Sequence, residues 1–384
     1  MKPSRLLLLA AFLRLAFMLL SGKLENEEFW EYGEIGKQLL AGHGYSFPFT
    51  NEKLEFLPEQ FYPSALMPPG YVFFLLPFLL IQDLILRNFV LFMVQTGLSL
   101  TALWLVYLFS RQRFGEGAAR IILLLQAIYP ELIYACCTVG PTIWFHLLMA
   151  GILFHLPEKR QAVFVGILSG MLVLMRSEAI LPIGLMLLLA FLDGERKASL
   201  ITGITLLLCL SPWLIRNQLV FGKPMLSANS GVNFYRGNNP GEIADWPVLP
   251  DQEMAILKEN PSRFEQGFDA ASMNRAIDWL QENPEKFIVR LGEKALRFWL
   301  LDWPDPRTHS PIYWLPWLLC LPLGILGLWQ SGFRLKEPLS ILFLSYTLIA
   351  LIFFPQARYL TLIKFFWMIP AGAFLIFIMK KRQI

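Results

Sequence analysis

The stretch Lys23–Ser46, KLENEEFWEYGEIGKQLLAGHGYS, leaves the first apolar run of the chain with a dense set of carboxylates: Glu25, Glu27, Glu28, Glu31 and Glu34. Around it the sequence is greasy. Of 384 residues, 55% are hydrophobic and only 16% charged, with a mean hydropathy of +0.50. A soluble globular chain carries about 25% charged residues. Apolar runs of roughly 15–21 residues recur, close to the ~20 that cross a bilayer as a helix. The sequence predicts an all-α polytopic membrane protein, and the meaning of the acidic stretch depends on which side of the membrane it faces.

The candidate spans cover 5–21, 89–109, 119–135, 141–155, 161–175, 179–192, 199–215, 311–330, 338–354 and 359–379. The run Pro69–Gln82 is shorter and reads as a re-entrant or juxtamembrane segment. With that run not crossing, Lys2, Arg5, RQRFGEGAAR, PEKRQ, DGERK, GFRLKEP and the tail KKRQI all share one side. Short basic loops stay cytoplasmic, so about ten helices form the consistent arrangement. The outer side then holds the acidic loop 22–68, the turn CTVGPT, Arg176-Ser177-Glu178 and the long segment 216–310, joined by FPQARY.

This divides the chain into a transmembrane module 1–215, an extracytoplasmic segment 216–310 and C-terminal helices 311–384. In the middle part, FGKPMLSANSGVNFYRGNNPG reads as loops and turns, and 262–300 reads as helix interrupted at Asn283-Pro284. The N-terminal run reads as an uncleaved helix, because Arg14 interrupts it and no A-x-A cleavage site follows. Cys136, Cys137, Cys209 and Cys320 lie in or beside apolar segments, so neither a disulfide framework nor a zinc site is expected. The formal net charge of +4 sits in short loops and does not indicate a nucleic-acid partner.

Six segments in order resemble the polytopic glycosyltransferases that use polyprenyl-phosphate sugars, the GT-C type that includes the dolichyl-phosphate-mannose protein mannosyltransferases and the aminoarabinose transferases. They are EEFWEYGEIGKQLLAGHGYS, MPPGYVFFLLPF, YPELIYACCTVGPTIWFHLLM, GILSGMLVLMRSEAILP, PWLIRNQLVFGKPMLSANSGVNFYRGNNPG and RYLTLIKFFWMIPAG. The resemblance implies a GT-C-like fold and a catalytic carboxylate in the first outer loop. At that position, four residues before Tyr32, this chain has Glu28 where the family has aspartate, and Glu31 is a close rival. The second outer turn reads Gly140-Pro141-Thr142 where the family carries an acid.

Sugar transfer from such a donor needs a carboxylate to take the acceptor's proton, cations to hold the departing phosphate and a greasy groove for the lipid. Glu28 and Glu31 are the candidate bases. Arg176, Arg216 and Arg358, each at the outer end of a helix, are the candidate phosphate ligands, although helix-end arginines also snorkel to head groups. Tyr32, His43 and Tyr359 are candidate substrate contacts, with packing or turn roles as the plainer reading. Arg236 reads as a surface loop residue.

The expected activity is inverting transfer of a sugar to a lipid, glycan or protein acceptor on the outer face of a bacterial inner (plasma) membrane. The expected partners are the lipid donor, membrane lipids and that acceptor. No metal ligand is assigned, and a divalent metal stays open. The alternatives are a lipid-linked glycan flippase, against which stands the gathering of charge at helix ends rather than at the midplane, and a catalytically silent relative acting as an assembly partner.

Overall fold

A computed structural model describes residues 1–26, 29–50, 56–332 and 334–381. Helix α1 (Pro3–Leu20) leads to α2 (Trp30–Leu40), the strands β1 (Ser46–Thr50) and β2 (Phe56–Pro63), and α3 (Pro69–Leu79). The bundle continues through α4 (Leu84–Ile128), α5 (Pro130–Tyr134), α6 (Thr142–His155), α7 (Ala162–Met175), α8 (Ile180–Leu192) and α9 (Arg196–Phe221). Then come α10 (Ser230–Gly237), α11 (Asp251–Glu259), α12 (Phe264–Glu282) and α13 (Pro284–Trp299), followed by α14 (Pro311–Gln330), α15 (Pro338–Ile352) and α16 (Ala357–Lys381).

Each of the ten expected apolar segments falls largely on helix. Among the described residues, five helices are both long and apolar enough to cross a membrane: α1, α4, α9, α14 and the Tyr359–Lys381 part of α16. A sixth arises if Pro130–Cys137 and Thr142–His155, bent by 116°, form one broken span. Helix α3, at 11 residues, is half the length a crossing requires. Helix α4 holds two of the expected segments. Its 45 residues break at Gly115, whose φ of 83° and ψ of 171° are non-helical. Left straight, such a helix would run ~67 Å, twice the thickness of a bilayer core.

Sequence periodicity decides which faces pack. On α1, Leu6, Ala10, Arg14 and Met18 recur every four residues and are buried, and α1 packs chiefly on α4. Helix α16 is apolar nearly all round, and Leu360–Ala373 is almost wholly buried, as expected of the central helix of a bundle. Helices α7 and α9 approach closely because α7 carries Gly166 and Gly170: a Cβ on Gly170 would stand 2.4 Å from Cys209 Cβ. This is small-residue packing of the kind that draws membrane helices together.

Two local features depart from the sequence reading. Strands β1 (Ser46–Thr50) and β2 (Phe56–Pro63) pair antiparallel, with Ser46 opposite Pro63 and Phe47 opposite Tyr62, so the described chain is not purely helical. Within the Gly- and Asn-rich stretch, Ser230–Gly237 is helix rather than turn. Its glycines allow the close packing that holds it. A Cβ on Gly231 would meet Asp269 O at 1.9 Å, and one on Gly237 would meet Phe353 O at 1.6 Å. Asp269 also accepts the Val232 N–H at 2.9 Å. The expected interruption at Asn283-Pro284 is present, dividing α12 from α13.

Candidate functional site

A cavity of about 2730 Å³ opens between the bundle and the 216–310 segment. Its apolar flank begins with Leu9, Leu13, Ala16 and Leu20, a single stripe of α1 on the side away from Arg14. Ile133, Tyr134 and Ile312 continue that flank from α5 and α14. Its polar end gathers Glu31, Tyr32, Arg176, Glu178, Glu265 and Tyr359.

Glu31 lines the cavity from the first turn of α2. Glu34, one turn on, is paired at 2.6 Å with Lys37. Glu28 lies outside the described residues. Arg176 follows the last residue of α7, where the backbone leaves helical geometry (φ −148°, ψ 103°). Its guanidinium is buried, donates from Nε to Glu178 Oε1 at 2.5 Å and lies 5.4 Å from the centre of the Tyr359 ring. Two expected site residues from distant parts of the chain, Arg176 and Tyr359, thus meet. Arg358 begins α16 beside Tyr359, and its side chain lies outside the described residues. Tyr32 packs edge-on against Tyr71 with ring centres 5.2 Å apart.

Arg216 is not brought to this group. Nη1 donates to Ser64 O at 2.6 Å and to Asn217 Oδ1 at 2.8 Å, and Nη2 donates to Tyr45 O at 2.9 Å. Its guanidinium clamps the base of the hairpin, and Arg216 is not among the described residues that line the cavity. His43 is exposed, pairs with Gln38 Oε1 at 2.7 Å and stacks on Phe61 at 4.3 Å, so it braces the turn into the hairpin.

Four residues were missed. Glu131 and Thr361 line the cavity, with the Thr361 hydroxyl donating to Glu131 at 2.9 Å. Behind them Lys364, only 1% exposed, forms an ion pair with Glu131. The signal for Glu131 and Lys364 was present in the sequence, since an ionisable residue inside an apolar run marks a functional position by default. Glu265 gave no such signal, being one acid among several on a polar helix. In the structure its carboxylate accepts the Ala65 N–H at 2.9 Å. Burial pushes its pKa up from 4.5 to about 7, against the opposing pull of the Ser64 hydroxyl, the Ala65 N–H and Arg216. Among the described residues no group of three or more His, Cys, Asp or Glu side chains could hold a metal ion.

No protein-family model and no curated protein sequence matches the chain. Solved structures do. An oligosaccharyltransferase of Archaeoglobus fulgidus, crystallised with zinc and sulfate, superposes over 98% of this chain and 49% of its own with a TM-score of 0.57 at 15% identity. AglB of the same organism, in complex with an inhibitory peptide and a dolichol-phosphate, superposes over 99% of this chain and 50% of its own with a TM-score of 0.57 at 14% identity. The chain has a GT-C fold. It spans about half the length of these structures. The expectation of a GT-C-like membrane protein is thereby met at the level of fold. At this identity the likeness does not reach the finer resemblance to protein mannosyltransferases or aminoarabinose transferases.

Proposed function

We propose that this GT-C protein is a membrane glycosyltransferase that moves a sugar, with inversion, from a polyprenyl-phosphate carrier to a lipid, glycan or protein acceptor on the outer face of a bacterial inner membrane. The observation that carries this reading is the single cavity with an apolar flank and a charged end. Its volume is several times the ~300–1,000 Å³ of a small-ligand pocket, in keeping with a lipid-linked donor and an acceptor held together. A soluble substrate would have no use for the α1 stripe.

The chemistry assigned to the charged end follows from its residues. A first-loop carboxylate, Glu28 or Glu31, takes the proton from the acceptor hydroxyl as it attacks the anomeric carbon. Attack comes from the face opposite the phosphate, which inverts the centre. The bond from the anomeric carbon to the phosphate oxygen breaks, and the electron pair leaves with the carrier. Arg176, steadied by Glu178 and Tyr359, stabilises that charge, and Arg358 is assigned the same role. The carrier's isoprenoid tail lies along α1, α5 and α14. Both termini are cytoplasmic in the ten-span arrangement.

The deciding experiment is transfer from a radiolabelled polyprenyl-phosphate sugar to membrane extracts by the purified chain. Transfer that is lost in Glu28→Gln or Glu31→Gln supports the reading. Donor binding without transfer under any acceptor supply would replace it with a silent relative, and movement of intact donor across vesicles without cleavage would replace it with a flippase.

A further inference from the structure

Helix α13 turns an apolar side outward. Ile288 and Val289 are 70% and 74% exposed. Gly292, Leu296 and Leu300 are exposed as well, and at this three- and four-residue spacing they share one face with Ile288 and Val289. The cations of the same helix point elsewhere. Arg290 donates to Asn239 O at 2.7 Å and to Gly241 O at 2.8 Å. Arg297 pairs with Glu293 at 2.5 Å and reaches Glu242 at 3.7 Å. Lys294 is fully buried and donates to Asn238 Oδ1 and Leu351 O, both at 2.9 Å. The charged side thus faces the 238–242 loop of the extracytoplasmic segment, and the exposed apolar arc is turned away from that loop.

Packing fixes the depth of this helix. Lys294 meets the Leu351 and Ile352 carbonyls at the end of α15. Trp299, the last residue of α13, donates from Nε1 to Thr347 Oγ1 at 3.2 Å, five residues inside that end. Its carbonyl accepts from Trp317 Nε1 at 2.8 Å, six residues inside the start of α14. At 1.5 Å per residue these offsets place the end of α13 ~8–9 Å inside the ends of both helices. From Lys294 to Trp299 the helix therefore descends alongside α15. Helix α14 is long and apolar enough to span a membrane, and Leu315 and Leu319, which bracket Trp317, are exposed on it. Leu296 and Leu300 stand at that same level. An amphipathic helix at a bilayer surface sinks its apolar side about 5–10 Å into the headgroup–acyl boundary, the depth that these contacts give. Trp303, just past the end of α13, is exposed, and tryptophan favours that boundary.

We propose that α13 is seated in the membrane, its Ile288, Val289, Leu296 and Leu300 arc docked into the lipid of the leaflet nearest the 216–310 segment. The occupant is lipid because the arc reaches the depth of the exposed leucines of a spanning helix while the charges of α13 are turned to the protein. The segment is then moored to the bilayer by a face of its own, besides its covalent links through α9 and α14. Lys294 carries that mooring to Asn238, which follows α10, and α10 lines the cavity through Ser230, Val232 and Asn233. The proposal does not depend on the glycosyltransferase reading.

The test uses the purified full chain in phosphatidylcholine vesicles, with a fluorescent maleimide attached in turn to Val289→Cys, to Leu296→Cys and to Glu259→Cys, the last an exposed position on α11. The wild type is the blank, since its own cysteines are buried or half-buried. Phosphatidylcholine brominated on its acyl chains near the carbonyl should quench the labels at 289 and 296 several-fold more than aqueous iodide does. The label at 259 should show the opposite order. Iodide quenching at 289 and 296 with no effect of the brominated lipid would place the arc in water and overturn the inference. Protection of both positions from both quenchers would also overturn it, in favour of a covering protein, and that protein is a second copy of this chain where unlabelled Val289→Cys also cross-links to itself.

Discussion

The Lys364 ammonium and the Glu131 carboxylate meet as a buried ion pair, 233 residues apart in the chain, with their side chains 1% and 7% exposed. The pair stands where α16 faces the start of α5, and Lys364 also lies over the rings of Tyr313 at 4.8 Å and Trp317 at 5.2 Å. Removing one partner of such a pair strands the other charge, at a cost of about 3–5 kcal/mol. Glu131→Gln and Lys364→Met should each lower stability by that order in a detergent unfolding titration. The double variant should recover most of the loss. Equal losses for the single and double variants would mean that the two charges do not act as a pair.

Glu265 should make stability depend on pH. Its folded pKa of about 7 exceeds the ordinary 4.5 because burial penalises the charged form. Between those values the folded chain holds a proton that the unfolded chain has lost. Stability from this residue therefore falls as pH rises from about 4.5 to about 7 and is level above that. The expected size is on the order of 1–3 kcal/mol. Glu265→Gln should flatten the slope in that window. An identical slope in the wild type and the variant would assign it to another group.

Arg216 should behave as a structural clamp and not as a phosphate ligand. Its two nitrogens hold Ser64 O and Tyr45 O, the two ends of the hairpin. Charge-assisted hydrogen bonds contribute about 1.5–3 kcal/mol each. Arg216→Ala should therefore speed hydrogen exchange across residues 45–67 by 10-fold or more, with donor phosphate preference kept in the protein that remains folded. Unchanged exchange with lost phosphate preference would restore the helix-end expectation.

The first-loop acids separate by turnover. Glu28→Gln should abolish transfer while expression holds, because an amide cannot take up the acceptor's proton. Glu25→Gln should change transfer less than 2-fold. Wild-type turnover in Glu28→Gln would move the base to Glu31, which lines the cavity. Wild-type turnover in both single variants would remove the role from the pair.

Topology can be read by labelling. Asp251 and Glu158 are both exposed, and the basic-loop argument puts them on opposite sides of the membrane. Asp251→Cys should react with a membrane-impermeant maleimide in intact cells, whereas Glu158→Cys should react only after permeabilisation. The reverse pattern would invert the whole arrangement.

Composition and periodicity by themselves determined that this is a helical membrane protein, where most of its helices lie and where 262–300 is interrupted. These are local properties: an apolar run long enough to span, a proline without an N–H, a stripe every four residues. They also set an expected axial level, because charge at a helix end marks the membrane boundary. Level is not azimuth. Arg176 caps α7 and Arg216 lies five residues inside the end of α9; both are expected at the same height, yet one turns into the cavity and the other into the hairpin. The partner that decides between them, Ser64, is 152 residues from Arg216. The same holds for Arg236, whose position rests on Phe354 from another part of the chain, and for Glu131, whose charge is matched by Lys364. A guanidinium or carboxylate takes its role from what it meets, and only the packed bundle brings those groups within a few ångströms of one another.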